Sequence, residues 1–386
     1  MKESIIILDW ILFTYVALSV VYLCFFAFLS LFKRSESYPQ SDKKNRILVL
    51  FPAYKEDKVI ESSVQSILTQ NYPKEYFHIV VISDQMQDTT IRQLSELPVQ
   101  VLPIVNERQT KARALQLAIQ DIDRNAYEIV VILDADNTVE PDFLSQVNNA
   151  YQSGIYAMQA QRIAKNPQTD TALLDAASEA MNNSFFRKGQ TQIGLSAALS
   201  GSGMAFDFIW FKEQIPKVSS AGEDKELEVL LLKEGVYIEY LENVLIYDEK
   251  IVDPESFSRQ RRRWMAAQYG TLKQAIKELP GAIITLNWDY CNKLFQWMML
   301  PRVLLLGTIT LLAFVFTFFH WQWSLKWWGL LFCLIVAFSM ALPDELFDKR
   351  LKKALRKIPL LFFLMFINLF RLKGVNRKFI HTRHGN

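Results

Sequence analysis

From Ile11 to Phe32 the chain reads ILFTYVALSVVYLCFFAFLSLF without one charged side chain. As a helix, such a run crosses a hydrocarbon core of ~30 Å, and no other feature restricts the possible folds so strongly. A cleaved leader is the competing reading. The run is too long for a typical leader core, and no small-residue cleavage site follows it, so a retained helix is expected. Lys33, Arg34, Lys43, Lys44 and Arg46 follow the run, whereas Lys2 before it is offset by Glu3 and Asp9. Basic residues concentrate on the cytoplasmic side of a span, which places the next domain in the cytoplasm.

Two further apolar runs, Val303–Phe319 and Trp327–Leu342, flank HWQWSLKWW, read as a tight aromatic turn at a membrane interface. The pair predicts a helical hairpin. The cluster that follows, with Lys349, Arg350, Lys352, Lys353, Arg356 and Lys357, independently gives the same orientation. A multi-pass protein of the plasma (inner) membrane results, in contact with membrane lipids. The last run, Pro359–Phe370, is short and basic on both sides; it is expected to lie on the cytoplasmic surface as an amphipathic helix, with a short third C-terminal span as the alternative.

Between about 45 and 250 apolar runs alternate with helical patterns, the signature of an α/β domain. RILVLF, ending before Pro52, HIVVIS, VQVLPIV and YEIVVIL read as strands, and TKARALQLAIQDI reads as a helix. Polar residues follow the strand ends: Tyr54, Glu56, Asp84, Asp134 and Asp136. In an open α/β sheet that edge binds ligands. Neither GxGxxG nor GxxxxGK[ST] occurs, which argues against a dinucleotide dehydrogenase or a P-loop NTPase. Cys24, Cys291 and Cys333 lie far apart, without metal spacing, so neither a disulfide framework nor a zinc site is expected. The net charge of +3 is close to neutral and says nothing global about partners; no nucleic-acid partner is expected.

In VVILDADNTVEPDF, Asp134 and Asp136 are separated only by Ala135. Carboxylates so close repel unless a cation or a shared proton relieves them. One reading is a Mg²⁺ or Mn²⁺ site for a pyrophosphate; the other is an aspartyl phosphatase with a DxDxT-type motif. Downstream, AGEDKELEVLLLKEG puts Glu223 and Asp224 at a helix entry, where acidic residues are favoured for dipole reasons alone. SRQRRRWMAAQYG brings Gln260, Arg261, Arg262, Arg263 and Trp264 together; alone, such a run before a membrane helix reads as a lipid anchor.

Taken in order, FPAYKED, SDQ, DAD, GED and QRRRW, followed by a membrane hairpin, resemble the motifs of the processive-type family 2 membrane glycosyltransferases, the cellulose, hyaluronan, chitin-oligosaccharide and poly-N-acetylglucosamine synthases. The resemblance runs from Arg46 to the C-terminus. It implies a GT-A-type nucleotide-sugar-binding domain at 45–252, after an N-terminal transmembrane helix at 1–34. Interfacial helices would follow at 253–298, a transmembrane hairpin at 299–343, and an amphipathic helix with a gating-loop-like C-terminus at 344–386.

The resemblance also implies roles. Ala53, Tyr54, Glu56 and Asp84 would contact the uracil and ribose of a UDP-sugar, with Lys111 near the nucleotide. Asp134 would hold ribose or metal, and Asp136 would ligate Mg²⁺ or Mn²⁺. Gln260, Arg263 and Trp264 would close over pyrophosphate and acceptor. Asp224, beside Glu223, would be the base of an inverting transfer to a glycan or lipid-linked acceptor. Gly201, Ser202 and Gly203 would line the acceptor path, and His381, Thr382 and Arg383 in KFIHTRHG would reach the nucleotide as a gating loop.

The sequence departs from the family in Gln85 after Asp84 and Gly222 before Glu223. Its membrane runs also look too few to enclose a polysaccharide channel. Either a second copy or a membrane partner completes one, or the product is short and lipid-linked. A polyprenyl-phosphate sugar transferase is the alternative enzyme, although QxxRW is not expected there.

Overall fold

The computed structural model describes residues 2–33, 38–105, 110–251 and 254–372; His381, Thr382 and Arg383 lie outside them. The strands are β1 (Ile47–Tyr54), β2 (Phe77–Asp84), β3 (Gln100–Ile104), β4 (Ile129–Ile132), β5 (Thr138–Val139), β6 (Ala157–Ala164), β7 (Met204–Asp207) and β8 (Ile238–Asp248). They form one mixed sheet in the order β3-β2-β1-β4-β7-β6-β8-β5. The first four strands in this order are parallel, and β7 runs antiparallel to both of its neighbours.

The central strands are apolar throughout because both faces are covered. Leu48 and Leu50 join one core with Val80, Ile82, Val130 and Ile132. The alternate residues Ile47, Val49 and Phe51 join the opposite core with Ile79, Val81 and Val131.

Contrary to the sequence reading, β1 does not stop at Pro52. The Leu50 carbonyl accepts from Leu133 at 3.1 Å, so Leu50, and with it Pro52, presents its amide side toward β4. The β1–β4 pairing ends at Leu50 and Ile132. The missing proline N–H therefore costs no ladder bond. Beyond that point β1 pairs only with β2, and the gap toward β4 becomes the floor of a cavity.

Among the described residues three helices are long and apolar enough to cross a membrane: Ile6–Ser30, Arg302–Phe319 and Trp321–Ala341. They pack through Val16, Val20, Leu23, Leu305, Ile309, Trp327 and Leu334. The expected aromatic turn shrinks to His320, and the helix resumes at Trp321. The stretch from Trp321 to Trp328 has no Gly, Pro, Asn or Asp to stop it. Lys326, thus carried into the helix, pairs with buried Asp9, which also accepts from Trp327 Nε1 at 3.1 Å.

Closer to the α/β domain, Tyr22 donates to Asn292 at 2.8 Å, Asn292 to Gln190 at 2.7 Å, and Gln190 back to Tyr22 at 3.0 Å. This triangle fastens the first helix to the rest of the chain. The last helix among the described residues, Ile358–Leu369, is 12 residues long. It lacks the expected polar face: Asn368 is its one polar residue and donates to Ser258. Its Phe362 ring lies where a side chain at Gly307 would begin, 2.1 Å from an added Cβ, so the close approach of the two helices requires that glycine.

Candidate active site

The cavity opens where β1, β2 and β4 end. Ala53, Tyr54 and Asp84 reach it from the first two strands, with Glu56 just beyond, and Asp134 and Asp136 from the turn after β4. The chain turns sharply here. Lys55 and Gln85, each following a strand's last residue, take positive φ (57° for both), at a cost of about 1 kcal/mol or more for a residue with a Cβ. Lys111 opens the helix Lys111–Ile119, whose N-cap Thr110 accepts from the Arg113 amide.

Lys111 links three motifs distant in sequence. Its ammonium donates to Asp134 and, at 2.7 Å, to the Gly201 carbonyl, and it stands 3.7 Å from Glu223. Burial alone would weaken its hold on the proton, but Asp134 and Glu223 outweigh burial and strengthen it. Glu223 and Asp224 are the first residues of the helix Glu223–Lys233. Burial, opposed by Lys111 and reinforced by Asp224, pushes the Glu223 carboxyl up to about 7. Asp224 accepts from the Lys225 amide at 2.9 Å and faces the cavity.

Of the three loop residues expected to line an acceptor path, Gly201 borders the cavity. Ser202 is fully buried behind it, bonding to Asn137 and to the Asp134 amide (2.8 Å). Gly203 has a positive φ of 67°, and an added Cβ would lie 1.9 Å from Ile246, so the crowding there comes from β8 rather than from the cavity. These two residues brace the Asp134 turn from behind.

Gln159, unremarked in the sequence, spans the same loop: it donates to the Ser202 carbonyl at 2.9 Å and accepts from the Ser200 amide at 2.9 Å. Arg162 donates to the Ser200 carbonyl at 2.8 Å and to Asp248 at 2.5 Å, and Lys250 meets Asp248 at 2.9 Å. Sequence reasoning missed this cluster. The available signals were a buried strand, AMQAQRIA, carrying an arginine, and a second strand ending on an aspartate.

Gln260, Arg263 and Trp264 sit on the helix Pro254–Ala275. Their i, i+3, i+4 spacing puts them on one face, and all three line the cavity. Burial lowers the hold of Arg263 on its proton, while Glu223, Asp134 and Asp224 oppose the effect. Arg261 pairs with Asp175 and lies over the Trp264 ring at 4.5 Å.

The cavity measures about 550 Å³ and extends from these residues to Leu305, Leu306 and Phe338 on the long apolar helices. Its strand end can cradle an anion between Lys111 and Arg263 and can take a proton on a carboxylate.

Both oxygens of Asp136 are held by neutral donors: Asn137 Nδ2 and the Glu249 amide each donate to it at 3.0 Å. Among the described residues no three or more His, Cys, Asp or Glu side chains form a cage. Two carboxylates fall short of the octahedral shell of Mg²⁺ or Mn²⁺, so the donor set fits a cation that brings further oxygens with it, as on a diphosphate.

Comparison with known proteins gives the family and the fold. The sequence signature described as "Glycosyltransferase like family 2" matches residues 45–267. An N-acetylglucosaminyltransferase of Rhizobium meliloti (strain 1021) is 22% identical over 299 residues, 73% of this chain and 68% of the relative. Among solved structures, the mannosyltransferase PcManGT of Pyrobaculum calidifontis, in complex with GDP-Man and Mn²⁺, superposes with a TM-score of 0.52 at 18% identity, covering 83% of this chain and 97% of its own. TarS 1-349 of S. aureus gives 0.45 at 15% identity, covering 86% and 90%.

Proposed function

Because the chain belongs to glycosyltransferase-like family 2, with a GT-A-like α/β fold and three helices able to span a membrane, we propose that it is a membrane-embedded inverting transferase. It moves a sugar from UDP to a glycan or lipid-linked acceptor, in β-polysaccharide or exopolysaccharide synthesis, with its α/β domain in the cytoplasm. One observation carries the reading: a single cavity joins the strand-end carboxylates to the membrane helices. A soluble phosphatase has no use for the second half of that cavity.

The nucleotide lies against Ala53, Tyr54, Glu56 and Asp84, with its diphosphate between Lys111 and Arg263. Asp224 takes the proton of the acceptor hydroxyl. The acceptor oxygen bonds to the anomeric carbon as the bond from that carbon to the diphosphate oxygen breaks, and its electron pair leaves with UDP. One displacement inverts the centre, so an α-linked donor gives a β-linkage. Lys111 and Arg263 hold the charge that gathers on the leaving group, and Glu223 keeps Lys111 in place. A Mg²⁺ or Mn²⁺ ion on Asp136 and Asp134 would supply further charge neutralisation there. Trp264 offers a flat apolar face to a sugar ring.

The relative makes UDP-N-acetylglucosamine the first donor to try. Purified protein with Mg²⁺ or Mn²⁺ is expected to release UDP from one donor of a UDP-sugar panel and to form a glycosidic bond. Asp224→Asn should lower the rate by about a hundredfold or more while still binding UDP. A sugar attached to a lipid phosphate oxygen would move the assignment to polyprenyl-phosphate sugar transfer. Phosphate release dependent on Asp134, without UDP release, would sink the transferase reading.

A further inference from the structure

Toward the membrane the cavity lining changes from charged to apolar, with Leu23, Leu305, Leu306, Phe338 and Met365 around the far end. At the change stands Arg302, the first residue of the second membrane helix. Its guanidinium donates to the Ser178 carbonyl at 2.9 Å, to the Ser178 hydroxyl at 3.0 Å and to Asn182 at 2.8 Å, all uncharged acceptors. Among the described residues it has no carboxylate partner, and its Nη1, sealed from solvent, has no hydrogen bond. Arg261 and Arg187 repel it, and Glu179, which attracts it, is already held by Arg187 at 2.8 Å.

A cation so placed lacks a counter-ion, which is costly away from water. A second, independent group points the same way. Gln296, 7% exposed and lining the cavity, has an Nε2 with no hydrogen-bond partner. Arg302 and Gln296 thus both line a space whose inner end is apolar and whose outer end holds Asp224, with their unsatisfied nitrogens set in its wall.

Resting on the transferase reading above, we propose that the acceptor is a sugar carried on a lipid phosphate. Its phosphate sits on Arg302 with Gln296 beside it, its hydrocarbon chain fills the apolar arm, and its sugar extends past Trp264 to Asp224. The side chains follow in that order: Arg302 neighbours Arg261, Arg261 stacks on Trp264, and Arg263 on the same helix feels Glu223 and Asp224. The sugar hydroxyl gives its proton to Asp224 and its oxygen to the anomeric carbon, UDP leaves with the electron pair, and the lipid phosphate stays unchanged.

The test uses full-length protein in detergent, with binding of farnesyl phosphate, farnesol and inorganic phosphate measured by calorimetry beside UDP. Farnesyl phosphate should bind about tenfold or more tighter than either of the other two. Arg302→Gln should bring it down to the level of farnesol, and Arg302→Lys should restore part of the difference. Leu306→Trp, which narrows the arm, should weaken farnesyl phosphate and leave inorganic phosphate unchanged. Equal binding of farnesol and farnesyl phosphate, or indifference to Arg302→Gln, overturns the inference.

Displacement by phosphatidylglycerol vesicles at matched lipid concentration also overturns it, because the site would then hold a bilayer lipid. Protein that binds UDP but no farnesyl phosphate sinks this inference alone. Protein that binds farnesyl phosphate but no UDP sinks the transferase reading instead. Should Arg302→Gln lose UDP binding through misfolding, Leu306→Trp decides the matter.

Discussion

Glu179 and Glu223 line the same cavity and are equally buried, each 6% exposed, yet their acidities move in opposite directions. Burial raises both. At Glu179 it is overcome by Arg187, 2.8 Å away, with Arg162 and Lys250 adding to the pull, and the carboxyl falls well below its ordinary range. At Glu223 the cation, Lys111, stands 3.7 Å off and is shared with Asp134, while Asp224 adds repulsion, so burial wins. A buried carboxylate with a dedicated partner is part of the frame. One that shares its partner is left ready to exchange a proton near neutral pH.

The comparison breaks most visibly at the frame. Arg187→Ala leaves Glu179 charged and buried, and should cost about 3–5 kcal/mol of stability, seen as a lower unfolding temperature in detergent. Glu179 is more acidic folded than unfolded, so its contribution is complete above its ordinary value of 4.5 and fades as pH falls further. An Arg187→Ala protein as stable as the wild type would remove the distinction.

Glu223 has the opposite sign. Its folded carboxyl, pushed up to about 7 from 4.5, binds a proton more tightly than the unfolded one, so its contribution to stability declines as pH rises across that interval. Glu223→Gln mimics the protonated form. It should unfold a few degrees above the wild type at pH ~8 and close to it at pH ~5. The same difference at both pH values would mean that Lys111 keeps Glu223 charged throughout.

The smallest effect is expected at the ends of β1 and β4 away from the cavity, where Arg46 meets Glu128 at 2.7 Å with 48% and 34% of the side chains exposed. There Arg46→Gln should change stability by no more than about 1 kcal/mol. A larger loss would show that distance to a partner, rather than burial, governs both carboxylates of the cavity.

The strand-end carboxylates were legible because an apolar run that stops on Asp84 or Asp134 declares both its burial and its mouth. Lys111 was set beside them by the family resemblance alone, since apolar spacing shows the helix it opens but not what its first residue meets. The frame behind them was not legible. Arg162 and Asp248 are 86 residues apart, and neither stretch hints at the other. Ser202 and Gly203 were found as a loop, but which side of the loop faces the cavity depends on β8, whose Ile246 packs against it. The third apolar helix was read from Trp327 and its start at Trp321 was missed, because aromatic composition suggests an interface whereas helix continuation depends only on the absence of a stop.

The pairing of Asp9 with Lys326 sets an order of events. The two residues are 317 positions apart, and at ~5–20 residues per second the ribosome makes the second roughly 15–60 s after the first. During that interval the first helix carries a carboxylate whose eventual partner has not yet been made. The contact between the first and third apolar helices through Asp9 therefore cannot close until Lys326 has been made, however early the rest of the first helix forms.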